Sequence, residues 1–125
     1  MPAVMGETLH VIRKRADFVA ANKGLRNARP GFVLLTLDNG GEGKRFGVTV
    51  TKKIGNAVVR NRMKRRFREL LRASLPAEGL RDTDHVLIGR EGGIERDFAA
   101  MRAELSTALA RAREGKGDPA RRGRQ

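Results

Sequence analysis

The stretch that most constrains this chain is Lys52 to Arg72, KKIGNAVVRNRMKRRFRELLR, because only one side of it can be buried. At the helical step of about 100° per residue, Val59, Met63, Phe67 and Leu70 share one face, with Leu71 at its edge. Asn61, Arg65, Arg68 and Arg72 fall opposite. Arg62 and Arg66 flank one side of the apolar stripe, and Arg60 and Lys64 flank the other. Such a helix must dock its stripe on a core built by other segments and turn every other direction outward. Asn56, after Gly55, is placed to cap its start, and Pro76 predicts its end near Leu75–Pro76.

The outward directions are almost uniformly positive. Nine of the chain's 27 Lys and Arg lie in this stretch: Lys52, Lys53, Arg60, Arg62, Lys64, Arg65, Arg66, Arg68 and Arg72. Only Glu69 opposes them. The pairs Arg60/Lys64, Arg62/Arg66 and Lys64/Arg68 set like charges at i,i+4, each destabilising by roughly a few tenths of a kcal/mol. A face shaped for solubility alone mixes its signs, whereas a polyanion partner relieves the repulsion. A formal net charge of +13 and a pI of about 11.5 point the same way, toward polyanions and strong salt dependence. The expectation is a nucleic-acid surface; the bland alternative is a solvated basic face.

The remaining segments supply the core. At 125 residues the chain is expected to form one domain. Residues 1–8 read as a loose lead-in. Asp17 to Lys23 reads as a short helix ended by Gly24, carrying Phe18, whose burial preference assigns it to the core. Arg26, Arg29 and Pro30 read as a basic connection. Phe32 to Leu37, FVLLTL, predicts a strand covered on both faces. Asp38 to Gly43, DNGGEG, predicts a turn; it lacks the GK[ST] ending and following helix of a phosphate-binding loop. Arg45 to Thr51 alternates Phe46, Val48 and Val50 against Gly47, Thr49 and Thr51, predicting a strand that forms a hairpin with the previous one. Backbone or ligand could approach closely at Gly47. His85 to Arg90 predicts a third strand, parallel to the second because a long helix joins them. Gly92–Gly93 turns the chain into a helix over 94–112, with Phe98, Met101, Leu105, Leu109 and Ala112 on one face. From Glu114 the chain reads as a disordered basic tail. The result is an α+β domain over 9–113, in the order α-β-β-α-β-α.

Chemistry is harder to find. No cysteine is present, which excludes disulfides and thiol catalysis and fits a reducing cytoplasm. No apolar run approaches the roughly 18 residues that span a membrane, and MPAVMGETLH does not read as a signal peptide. Asp82, Asp84 and His85 suggest a metal cluster at first sight, but no second cluster converges on them, and a polar turn before a strand is the simpler reading. The serines are only Ser74 and Ser106, so no nucleophile and base can be paired, and nothing points to paired carboxylates. No catalytic residue and no protein metal ligand is assigned. The chain reads as a binder.

From Lys52 to Arg68 the pattern K-K-x-G-N-A-V-x-R-N-R-x-K-R-x-x-R closely resembles the bacterial ribonuclease P protein subunit. The resemblance runs from about Leu9 to Arg113 and takes in Phe18 and both apolar strands. It implies a single-domain α/β sandwich, ribosomal-protein-like, with a mixed sheet and a left-handed βαβ crossover, against the usual hand. It implies a cytoplasmic ribonucleoprotein that removes the 5′ leader of precursor tRNA endonucleolytically. The catalytic RNA carries the chemistry and holds most of the Mg2+, and the protein alone is inactive. By the same resemblance Lys52, Lys53, Arg60, Asn61, Arg62, Lys64, Arg65 and Arg68 face the catalytic RNA. Phe18, Leu35, Gly47 and Thr49 line a cleft for the single-stranded leader. Asn22 and Leu35 stand where family members often carry aromatics. The partners implied are that RNA and precursor tRNA, with no membrane and no DNA. A basic ribosomal protein or general RNA chaperone shares the charge and size. A major-groove DNA binder and a stand-alone nuclease are further alternatives.

Overall fold

The computed structural model describes residues 9–118. Five strands are present: β1 Leu9–Val11, β2 Leu25–Ala28, β3 Phe32–Asp38, β4 Lys44–Thr49 and β5 Thr83–Gly89. Three helices accompany them: α1 Arg15–Ala20, α2 Ala57–Glu78 and α3 Phe98–Arg113. Single 3-10 turns follow α1 at Ala21–Lys23, precede α2 at Lys52–Ile54 and follow β5 at Glu91–Gly93. The strands form one mixed sheet in the order β1-β4-β5-β3-β2. β4 runs parallel to β1 and β5, and β3 runs antiparallel to β5 and β2.

Strand β3 is buried on both faces, as its unbroken apolar run requires. Phe32 and Leu34 enter a large core with Met63, Phe67, Leu70 and Leu71 of α2 and Met101, Leu105 and Leu109 of α3. Val33 and Leu35 enter a smaller core with Ile12, Ala21 and Val86, against which Phe18 packs. Full burial of one such side chain is worth about 2 kcal/mol, and the larger core holds most of them. The rings of Phe32 and Phe67 meet edge to face, 6.1 Å apart.

The predicted hairpin does not form. β5 lies between β3 and β4, pairing with β3 over its whole length and with β4 from Asp84 to Ile88. A strand as apolar as Val86–Ile88 is best buried in the middle of a sheet, and the long α2 crossover delivers it there. The DNGGEG loop therefore arches over the start of β5. Asn39 N–H donates to the Asp82 carbonyl at 2.9 Å, and Gly43 N–H donates to Asp82 Oδ1 at 3.0 Å. Gly40, Gly41 and Gly43 all take positive φ within it, which glycine adopts without strain.

Other boundaries also differ. β1 and β2 are unpredicted, since both are short and β2 contains Arg26 and Asn27. Asn27 is nonetheless buried, with its amide oxygen accepting from Arg111 Nε at 2.7 Å and its Nδ2 donating to the Lys116 carbonyl at 3.2 Å. Gly24 ends the first helical segment in extended backbone rather than a left-handed cap; a Cβ there would lie 1.9 Å from the Thr36 carbonyl oxygen. Pro76 does not stop α2, which runs on to Glu78. Cations hold the carbonyls around that end: Lys44 Nζ donates to Leu75 O at 3.0 Å and Arg113 Nη2 to Glu78 O at 2.7 Å. α3 starts at Phe98, after Asp97 caps it by accepting from Ala100 N–H at 3.0 Å. The tail expected to be disordered from Glu114 is held over its first residues: Asp118 N–H donates to the Arg26 carbonyl at 2.6 Å, and its carboxylate accepts from Ala28 N–H at 2.7 Å. The lead-in 1–8 and residues 119–125 lie outside the described residues.

Candidate nucleic-acid interface

The sequence of α2 dictates its orientation. Asn56 Oδ1 accepts from Val59 N–H at 3.0 Å and fixes the first turn. Met63, Phe67, Leu70, Leu71 and Leu75 are buried against the sheet and α3. Asn61, Arg62, Arg65 and Arg68 are consequently exposed, as are Lys52 and Lys53 in the turn before the helix. Arg60 and Lys64 are half-buried along one flank. Among the described residues none of these cations is in an ion pair, and Arg60 Nε is buried with no hydrogen-bond partner. Glu69 is exposed and leaves the cations unneutralised.

Two arginines of the stretch behave differently. Arg66 turns toward the loop before α3, donating to the Ile94 carbonyl at 3.2 Å and to the Arg96 carbonyl, with its guanidinium 6.0 Å from the Phe98 ring centroid. Arg72 lies 5.4 Å from the centroid of Phe46. Arg66 is therefore spent on tertiary structure.

Beside α2, α1 and the sheet border a groove with two compartments, one over the sheet face opposite α2 and one reaching the flank of α2 itself. One is lined by Val19, Asn22, Leu35, Val86 and Ile88, and the other by Arg13, Val48, Val50 and Lys64; Arg15, Phe18 and Thr49 border both. Phe18 is half-buried, so it is core on one side and groove wall on the other. Leu35 is a buried floor residue. Gly47 does not line the groove but makes it possible, since a Cβ there would sit 2.5 Å from the Phe18 ring. Lys64 joins the groove to the cationic face of α2. Arg13, Arg15, Val86 and Ile88 were not singled out from sequence. The basic triplet Arg13-Lys14-Arg15 just before Phe18 was a usable signal for the first two.

The Asp-Thr-Asp-His run is structural. Arg45 grips Asp84 with two hydrogen bonds, Nε to Oδ1 at 2.6 Å and Nη2 to Oδ2 at 2.8 Å, and Asn39 Nδ2 adds a third at 2.9 Å. Burial pushes the Asp84 carboxyl up, but the bonds from Arg45 and Asn39 outweigh it and hold it below the usual range. His85 is fully buried; Nε2 accepts from Leu80 N–H at 3.0 Å, which leaves Nδ1 to donate to the Arg45 carbonyl at 2.9 Å. Burial lowers its pKa to about 4. With both nitrogens engaged it has no lone pair for a metal, and among the described residues no group of three or more His, Asp or Glu could hold one. Nor is any helix among them long and apolar enough to cross a membrane.

Comparison with known proteins is consistent over most of the chain. A family model described as Ribonuclease P matches residues 7–113. The chain is 75% identical over 115 residues to the ribonuclease P protein component of Erythrobacter litoralis, covering 92% of this chain and 95% of that one. It is 44% identical over 110 residues to the ribonuclease P protein component of Gluconacetobacter diazotrophicus, covering 86% and 95%. Among solved structures, the RNase P protein of Thermotoga maritima superposes with a TM-score of 0.70 at 32% identity, covering 82% of this chain and 96% of that one. A Staphylococcus aureus RNase P protein mutant with defective mRNA degradation activity superposes with a TM-score of 0.70 at 31% identity, covering 83% and 88%.

Proposed function

This chain belongs to the bacterial ribonuclease P protein family, and from that membership we propose that it binds the catalytic RNA through α2 and the 5′ leader of precursor tRNA through the groove under Phe18. The observation that carries the reading is the unpaired cationic face of α2, joined by Lys64 to a groove that holds one aromatic wall. Arginine forks match phosphate oxygens in pairs, and an aromatic face stacks on any base.

The two surfaces do different work. Cations on Lys52, Lys53, Arg60, Arg62, Lys64, Arg65 and Arg68 offset phosphate repulsion as two RNAs meet, which lowers the demand for metal ions. Asn61, exposed among them, can add a neutral hydrogen bond. The groove adds contacts to a leader that mature tRNA lacks, so substrate is favoured over product without any protein group at the scissile bond. Mg2+ belongs to the RNA in this reading. Among the described residues the Asp84 oxygens are taken by Arg45 and Asn39, and no group of three or more His, Asp or Glu could hold a metal ion.

The test is cleavage of precursor tRNA by a bacterial ribonuclease P RNA at low magnesium, with and without the protein. Restored cleavage at the mature 5′ end, with the protein alone inactive, is the expected outcome. Tight RNA binding without rescue would instead favour a general RNA-binding protein.

A further inference from the structure

The groove offers a base only one aromatic face. The chain has five Phe and no Tyr or Trp. Phe32, Phe46 and Phe67 are buried in the main core, and Phe98 packs against the same core. A base in the groove therefore has Phe18 on one side and needs a second planar partner to be held on the other.

Arg15 is placed to be that partner. It stands three positions before Phe18 on α1, the spacing that puts two side chains on one helix face. It is exposed and borders both compartments of the groove, and among the described residues its side chain forms no hydrogen bond or ion pair. No carboxylate lines either compartment. A guanidinium is planar, weakly hydrated and stacks on bases as readily as on aromatic rings, properties that a lysine ammonium lacks.

We infer that Arg15 is a leader-contacting residue, its guanidinium plane covering an unpaired base against Phe18 while the adjoining phosphate enters the compartment of Arg13 and Lys64. This inference rests on the leader reading above. It makes Arg15 a determinant of leader affinity through shape as well as charge.

The experiment uses holoenzyme reconstituted with a bacterial ribonuclease P RNA and precursor tRNAs carrying 2-aminopurine at one leader position at a time. Wild type is expected to bind precursor more tightly than mature tRNA and to quench the probe at one leader position. Arg15→Ala should weaken precursor binding roughly fivefold to tenfold, leave mature tRNA binding unchanged, and relieve the quench. Arg15→Lys should recover the salt dependence but not the quench. Arg102→Ala, an exposed change on α3, serves as the control for loss of one charge. Wild type that ignores the leader would defeat both the leader reading and this one. Leader-dependent wild type with an Arg15→Ala variant that matches it, or with an Arg15→Lys variant that matches it in both affinity and quench, would defeat this inference alone.

Discussion

The Phe18 ring occupies the space in which Gly47 would carry a side chain: a Cβ there would lie 2.5 Å from Cε1 and 2.6 Å from Cζ. One residue of β4 thus sets how deep the aromatic of α1 can sit. Gly47→Ala should cost about 1–3 kcal/mol of stability by overpacking and weaken leader binding together with it. In a Phe18→Ala background the same change should cost much less, because the clash has gone. Urea melts of the two single variants and the double variant measure this coupling; additive losses would mean that Gly47 is needed for something other than the ring.

His85 makes stability depend on pH. It is neutral in the fold, with a pKa of about 4 against an ordinary value of 6.5, so between those values the unfolded chain binds the extra proton. Stability is then full above pH 6.5 and declines as pH falls toward 4, by up to about 3 kcal/mol. Asp84, held below its usual range by Arg45 and Asn39, extends the loss further into acid. Denaturant melts at pH 7, 5.5 and 4 should show the decline. His85→Gln should be less stable at pH 7 but flatter across that window. An equally steep profile in the variant would place the titration elsewhere.

Much of this could be read from residue types and their spacing. Met63, Phe67, Leu70 and Leu71 mark the buried face of α2 by helical periodicity, and Arg65 and Arg68 follow on the other side without further information. Strand β3 declares its two-sided burial by having no polar residue before Thr36. What could not be read is long-range. Nothing in Asp38–Gly43 says that another strand will enter between β3 and β4. Asn27 looks like loop until Arg111 and Lys116, 84 and 89 positions away, satisfy its amide. Arg66 looks like its neighbours until the Ile94 and Arg96 carbonyls claim it. Phe18 read as core, which is half of its position; the other half depends on α1 standing over the open side of β4.

Asp118 ties the chain after α3 to strand β2. Its carboxylate accepts from Ala28 N–H, its own N–H donates to Arg26 O, and Arg111 stands 4.0 Å away. Asp118→Ala keeps the backbone bond but leaves Ala28 N–H without this partner. A loss of about 1 kcal/mol is expected, with RNA affinity unchanged because β2 lies at the sheet edge farthest from β1 and β4. Thermal melts and filter binding separate the two effects. A fall in RNA affinity at unchanged stability would show that this edge also meets RNA.

Arg65, Arg66 and Arg68 should separate by function although they are neighbours in one basic run. Arg65 and Arg68 are exposed and unpaired, so replacing both with alanine removes repulsion and leaves the melting temperature unchanged or raised. The same double change should weaken RNA binding and make the log–log salt slope shallower by roughly 1 to 2 units. For wild type, six to eight phosphate contacts imply a slope of about −4 to −7; a value shallower than about −2 would sink the electrostatic account. Arg66→Ala should do the reverse, costing about 1–3 kcal/mol because the Ile94 and Arg96 carbonyls lose a charged donor. Its effect on the salt slope should be small, since its guanidinium faces protein rather than solvent. If Arg66→Ala instead changes the slope as much as the loss of an exposed arginine, the contacts to Ile94 and Arg96 must give way to phosphate when RNA binds.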